Sequence, residues 1–293
     1  MGRNLVIARV GRNSLHPCWL VGGESRDWDL YLSPYQPIDP AAGAGCTVGE
    51  VIAGPKWTGV RELLNTWDGW REYDHIWIPD DDIYADAGII STLFDLAGAV
   101  GLQLFTPALH ESSYYTHYSQ MANRRFFGRR VGFVEIIVPG FSRAALERFL
   151  PTLDLTTTGW GWGLDSVWPK LLDYRDVGVL DAVTVLHTRP VGRMRDAELG
   201  RRVREESDRI LAEYECRQMH VIHGAFGPDL APLDLTPEQL LAEAVAGWRY
   251  LWEQDPRILT WIADFQRQVH PVPEYPIAGT PAAVPGLPIV VRR

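Results

Sequence analysis

Cysteine is scarce in this chain: three in 293 residues, at Cys18, Cys46 and Cys216. Their scatter excludes a disulfide framework and a cysteine-rich zinc cluster, and it fits a reducing compartment. Long apolar runs are missing too. No stretch reaches the ~18 uncharged apolar residues of a membrane span. The opening MGRNLVIARVGRNSLHPCW has no apolar block of the secretory kind. A cytoplasmic protein without a membrane span is the expectation. Positive charge is in deficit: 28 Lys+Arg against 37 Asp+Glu leave a net charge of −9. That balance counts against a general nucleic-acid binder, though a local basic patch could still hold a phosphate. There is no Walker A sequence, no G-x-G-x-x-G loop, no H-E-x-x-H and no internal repeat.

What is present is the composition of a globular protein, with 46% hydrophobic and 22% charged residues. Up to about residue 190, short β-branched runs alternate with helical periodicity. Leu5 to Val10 and Asp29 to Leu32 read as strands, and the Pro-, Gly- and Ala-rich stretch 36–54 as a loop. Val60, Leu63, Leu64 and Trp67 put one apolar face on a helix from Lys56, and Ile89, Ile90, Leu93 and Phe94 do the same from Asp86. Further strands are predicted at Tyr73–Pro79, at Leu102–Phe105 (stopped by Pro107), at Arg130–Val138, at Val177–Leu180 and at Val183–His187. Helices are predicted after Ser142 and over Asp165–Leu172. This interleaving predicts an α/β domain over 1–192 with a mostly parallel sheet. Residues 193–293 read as a helical extension. In it Thr236-Pro237-Glu238-Gln239 opens one helix and Asp255-Pro256 another, and a proline-rich tail runs from Pro271 to Pro288.

Two segments carry chemistry. In YDHIWIPDDDIY an apolar strand runs into Asp80, Asp81 and Asp82. Three adjacent carboxylates raise one another's pKa unless a cation neutralises them, and an oxygen-rich site of this kind suits Mg²⁺ or Mn²⁺. The competing reading is a solvated acidic turn. In TTTGWGWGLDSVW, Trp160 and Trp162 offer broad apolar faces that suit sugar rings, the intervening glycines permit close backbone approach, and Asp165 is a candidate general base. Here the competing reading is core tryptophans with a helix-capping aspartate. His187 ends the run VTVLH and could meet a metal or a phosphate. Arg189 and Lys56 could meet a diphosphate, and His110, Glu111 and His117 lie in a polar stretch that could wall an acceptor site.

Four segments, YDHIWIPDDDI, RRVGFVEIIVPGFSRAAL, GWGWGLDSVWPKLL and VGVLDAVTVLHTRPVG, give residues 51–192 a resemblance to a known group. It is a little-characterised plant and bacterial family of predicted glycosyltransferases, whose plant members carry a lysine-ketoglutarate reductase-related label. The resemblance implies a GT-A-like fold, a UDP-sugar donor, Mn²⁺ or Mg²⁺, and a hydroxyl-bearing glycan or small-molecule acceptor. It implies Asp82 as main metal ligand, with Asp80 at the ribose or the metal, Asp81 by either route, and His187 as a late metal or diphosphate ligand. Ala8, Arg9 and Val10, with Asp29, would border the nucleotide base, and Lys56 would assist. Trp160, Gly161, Trp162 and Gly163, with His110 and Glu111, would form the acceptor side. Asp165 would be the base of an inverting transfer, although the sequence alone leaves a retaining outcome open. Two rivals remain: a metal-dependent phosphohydrolase or nucleotidyltransferase, and a non-catalytic sugar- or protein-binding scaffold. The helical extension could complete the core, cover the cleft or join two copies as a homodimer.

Overall fold

The run NLVIARV forms strand β1 (Asn4–Val10), and each of its residues is buried. Its side chains alternate between two cores, as the period of two in a strand requires. Val6, Ala8 and Val10 enter one apolar cluster with Trp77, Leu93 and Phe94. Leu5 and Ile7 enter a second with Trp57, Val60 and Trp70. A strand apolar on both sides must be covered on both sides, which places β1 inside a layered α/β structure. The computed structural model describes residues 3–23, 26–191 and 196–267.

In chain order the remaining elements begin with α1 (His16–Trp19), β2 (Trp28–Pro34), β3 (Thr47–Val48), α2 (Lys56–Thr66), β4 (His75–Trp77), β5 (Ile83–Tyr84) and α3 (Ala87–Val100). Then come β6 (Leu104–Leu109), β7 (Gly128–Val131), β8 (Gly140–Ser142), α4 (Arg143–Phe149), α5 (Leu164–Leu171) and β9 (Val177–His187). The last are α6 (Ala197–Glu213), β10 (Ile222–Phe226), α7 (Pro237–Gly247), α8 (Arg249–Trp252) and α9 (Arg257–Arg267). The sheet runs β10-β7-β9-β6-β8-β4-β1-β2-β3, with β5 paired to the far end of β9.

The sheet is mixed, not mostly parallel. β1 pairs in parallel with β2 and β4, and β6 with β9, but β8 lies antiparallel between β4 and β6, and β7 and β10 are antiparallel additions. Gly140 allows the β8 insertion, because a Cβ there would lie 2.2 Å from the Phe105 ring. The two short strands expected at 177–187 are one strand, since Asp181 is buried against Arg129 rather than turned out to solvent. Strand β6 continues past Pro107, which sits at a shift of register against β9. The strand expected over Arg130–Val138 stops at Val131. Its remainder gives backbone oxygens to groups outside the sheet ladder: Ile137 to the Asp80 N–H, and both Ile136 and Ile137 to the Lys56 ammonium.

The segment after residue 196 joins this core. β10 bonds to β7, and Leu240, Trp248, Ile258 and Phe265 belong to the same cluster as Val6 and Trp77. The capping box expected at Thr236 and Gln239 is formed. The proline-rich tail lies outside the described residues. Among the described residues, no helix is long and apolar enough to cross a membrane.

Candidate functional site

The chain leaves β4 at its carboxyl end and turns through the three aspartates, which meet three different sets of partners. Asp80 Oδ1 accepts from Lys56 Nζ at 2.6 Å, and Lys56 also donates to the carbonyls of Ile136 and Ile137 at 2.8 and 3.0 Å. Asp81 Oδ2 accepts from the Gly11 N–H at 3.1 Å and the Tyr35 hydroxyl at 3.2 Å, while its Oδ1 accepts from Arg189 at 3.1 Å. Asp82 Oδ2 lies 3.3 Å from His187 Nε2. The other oxygen, Asp82 Oδ1, is buried and has no hydrogen-bond partner among the described residues.

His187 is the last residue of β9, and its Nδ1 meets the Tyr114 carbonyl at 2.9 Å. A carbonyl only accepts, so Nδ1 carries a hydrogen; Nε2 donates to Asp82 Oδ2 when the ring is protonated, and in the neutral ring Nε2 offers the lone pair that a cation would meet. Burial raises the Asp80 pKa even though Lys56 pulls it down. Burial also lowers that of Lys56, against the pull of Asp80. In the pair across the turn, burial works against both charges, but the hydrogen bond and mutual attraction prevail. Asp82 is held below its ordinary value and His187 above its own.

One ligand atom each from Asp80, Asp82 and His187 lie within 4.8 Å of one another. Two carboxylates and an imidazole are a donor set for Mg²⁺ or Mn²⁺, and a ring held by a carbonyl on its other nitrogen is the usual support for a histidine ligand. The unpartnered Asp82 oxygen fits the same role, since a buried carboxylate oxygen normally has a partner.

A cavity of about 310 Å³ opens beside the aspartates, walled by Arg9, Tyr35 and residues 54–56. Arg9 donates to Ser33 Oγ at 2.9 Å and to the carbonyls of Ile52 and Gly54, so its guanidinium ties the ends of β1 and β2 to the loop before α2. Gly59 is required there, because a Cβ would lie 2.2 Å from the Arg9 Cζ. Ala8 and Val10, expected at the nucleotide base, are instead packed in the core, as their strand position dictates.

The tryptophan-glycine segment packs on the same end of α2. The Trp57 N–H donates to the Gly159 carbonyl at 3.1 Å. Gly161 has φ +75°, and a Cβ there would lie 2.4 Å from Trp57 Cδ1. Gly163, with φ 98°, leads into α5, whose first turn holds Asp165. Asp165 is buried, and burial pushes its pKa up to about 7 although Ser166 donates to it. Trp160 is 41% exposed and Trp162 half-buried. The first turn of α2 thus links the two segments: Lys56 holds Asp80 and Trp57 underlies the glycines.

Four expected residues lie elsewhere. Asp29 is at the start of β2, opposite Leu5 and so at the far end of the sheet, where Tyr73 donates to it at 2.7 Å and Arg3 pairs with it. Glu111 is paired with Arg124, and His110 accepts from the Ser112 N–H at 3.2 Å. Neither lines the cavity. His117 is buried, stacked on His220 and edge-on to Phe133.

Two acids do not stand out in the sequence. Glu135 is buried, its Oε2 has no hydrogen-bond partner among the described residues, and burial pushes its pKa up to about 8 while the charges of His187, Asp165, Asp80 and Lys56 all act on it. It therefore stands within electrostatic reach of both segments. A lone acid inside GFVEIIVPG was the available signal. The other is Glu206 of α6, which reaches the threonines of TTTGWGWG.

No protein-family model and no curated protein matches the chain. Among solved structures it is similar to S. aureus TarS 1–349 in complex with UDP-GlcNAc, at 12% identity and a TM-score of 0.43, over 73% of this chain and 71% of that one. Another structure of S. aureus TarS 1–349 aligns over 90% of this chain and 80% of its own, at 10% identity and a TM-score of 0.47. A likeness this distant assigns no residue of this chain.

Proposed function

We propose that this chain is a metal-dependent glycosyltransferase of GT-A-like fold, moving a sugar from a nucleoside diphosphate sugar, a UDP-sugar, to a hydroxyl acceptor. The observation that carries the reading is the convergence of Asp80, Asp82 and His187 at the carboxyl ends of β4 and β9. It stands beside a cavity large enough for a small ligand, where open α/β sheets bind theirs. Asp80, Asp82 and His187 would hold Mn²⁺ or Mg²⁺. When bound, such an ion offsets the negative charge gathering on a departing diphosphate. Tyr35 would flank the nucleoside. Lys56, already desolvated, would add positive charge toward the phosphates. Trp160 would offer its exposed face to the acceptor, and Asp165 would take the proton of the attacking hydroxyl, its raised pKa suiting a base near neutral pH. The same motif order that resembles the plant and bacterial family supports this division of labour.

The test is thermal denaturation with UDP, with and without Mn²⁺. UDP should stabilise the native chain only when Mn²⁺ is present, by about 2.7 kcal/mol at a hundredfold excess over Kd. Asp82→Asn and His187→Ala should each abolish that gain. A product screen with UDP-sugars should find the sugar on a hydroxyl and UDP released. Nucleoside monophosphate or phosphate released without sugar transfer would sink the reading in favour of hydrolysis.

A further inference from the structure

The carboxylate of Glu206 accepts five hydrogen bonds from three consecutive threonines. Oε1 takes the hydroxyls of Thr156 and Thr158 at 3.0 and 2.6 Å. Oε2 takes the Thr157 hydroxyl at 2.6 Å and the N–H groups of Thr157 and Thr158 at 2.7 and 2.9 Å. A carboxylate only accepts, so each of these hydroxyls spends its one hydrogen on Glu206 and keeps its lone pairs for other donors. Those lone pairs are used. Thr156 Oγ1 accepts the N–H groups of Gly159 and Gly161, both at 3.1 Å, and Thr158 Oγ1 accepts that of Trp160 at 3.4 Å. The turn thus shaped is the one that packs on Trp57 and continues into α5. Further along, α6 backs the same segment: Ile210 lies 3.3 Å from where a Gly163 Cβ would stand, and Lys170 of α5 donates to the Tyr214 and Glu215 carbonyls at the end of α6.

We propose that Glu206 is a positioning residue: from a helix outside the motif-bearing region, it orients the threonine hydroxyls that shape turn 156–161, and so sets Trp160 and Asp165 relative to the acids at 80–82. The catalytic half of this inference rests on the glycosyltransferase reading, but the structural half does not. The experiment therefore has two readouts on the full chain. In amide hydrogen exchange, Glu206→Ala should lower protection over 157–161 by roughly tenfold or more, with β1 and β2 unchanged. In turnover of a UDP-sugar with Mn²⁺, it should lower kcat by roughly 10- to 100-fold while the KM for the UDP-sugar and the Mn²⁺-dependent UDP affinity stay within about twofold. Glu206→Gln keeps one acceptor oxygen and replaces the other with a donor, so it should fall between the alanine variant and the native chain in both readouts. It also serves if the alanine variant does not fold. Unchanged protection over 157–161 would overturn the proposal, and so would a loss of UDP affinity in step with kcat. A native chain that turns over no UDP-sugar would overturn the glycosyltransferase reading and the catalytic half with it. Exchange alone would then decide whether Glu206 holds the turn.

Discussion

Glu135 and Asp165 are carboxyls that burial holds near their neutral forms, at pKa values of about 8 and about 7. Between its ordinary and its raised pKa, such a group binds a proton in the folded chain that the unfolded chain has released. Stability therefore falls as pH rises across that interval. Urea denaturation of the metal-free protein should show a loss of a few kcal/mol between about pH 5 and pH 8, at up to ~1.4 kcal/mol per pH unit for each group. Glu135→Gln should flatten the slope, leaving the share of Asp165, and an unaltered slope would show that Glu135 is ionised when folded. Lys56 gives a second test. Its Nζ serves Asp80 and two backbone carbonyls, so Lys56→Met leaves all three without that donor. A loss of about 1–3 kcal/mol in the same assay is expected, moderated because Asp80 keeps some contact with solvent. At this scale the sequence was most readable where the residues of a group are neighbours. Asp80 and Asp82 stand together at a strand end, and His187 closes an apolar run. Glu135 was hidden because the apolar residues around it have the pattern of a strand, whereas two of their carbonyls turn to Lys56.

Among the elements, α2 does the joining. Its apolar face, spaced by three and four, was plain in the sequence, but the use of its first turn was not. Gly161→Ala would force a side chain into Trp57 at a positive φ. A loss of about 1–3 kcal/mol is expected in thermal denaturation. Mn²⁺-dependent UDP binding should be retained, since the aspartates belong to another turn; its loss would refute the separation of the two halves. Periodicity located β1, α2 and α3 because each is amphipathic or wholly buried over many residues. It split β9 in two at Asp181, since an acid in an apolar run reads as a turn until its partner is known. That partner, Arg129, is 52 residues away in sequence.

In the whole molecule, the buried Arg129–Asp181 pair joins β7 to β9, and the same guanidinium meets Trp248 of the C-terminal segment. Arg129 makes two bonds to Asp181 at 2.7 and 2.9 Å and lies 4.7 Å from the centre of the Trp248 ring, and the indole N–H of Trp248 donates to Met121 at 2.9 Å. Arg129→Met would strand a buried carboxylate and should cost about 3–5 kcal/mol in urea denaturation. The double variant Arg129→Met, Asp181→Leu should recover part of it, since the Ser119 and Met121 carbonyls and the Asn123 N–H still lose their partners. Equal losses in the single and double variants would mean that these backbone bonds, and not charge compensation within the pair, carry the effect.

Strand β1, helices α2 and α3, the acid triplet at a strand end and the glycine turn before Asp165 were written in local pattern, because they depend on residues a few positions apart. The antiparallel insertion of β8, the absence of Asp29 from the site, the approach of Glu135 and the grip of Glu206 on the threonines were decided by tertiary structure. Each depends on which surfaces meet when two cores close around one sheet. A carboxylate's role is set by the donors that reach it, and here those donors come from segments tens of residues away.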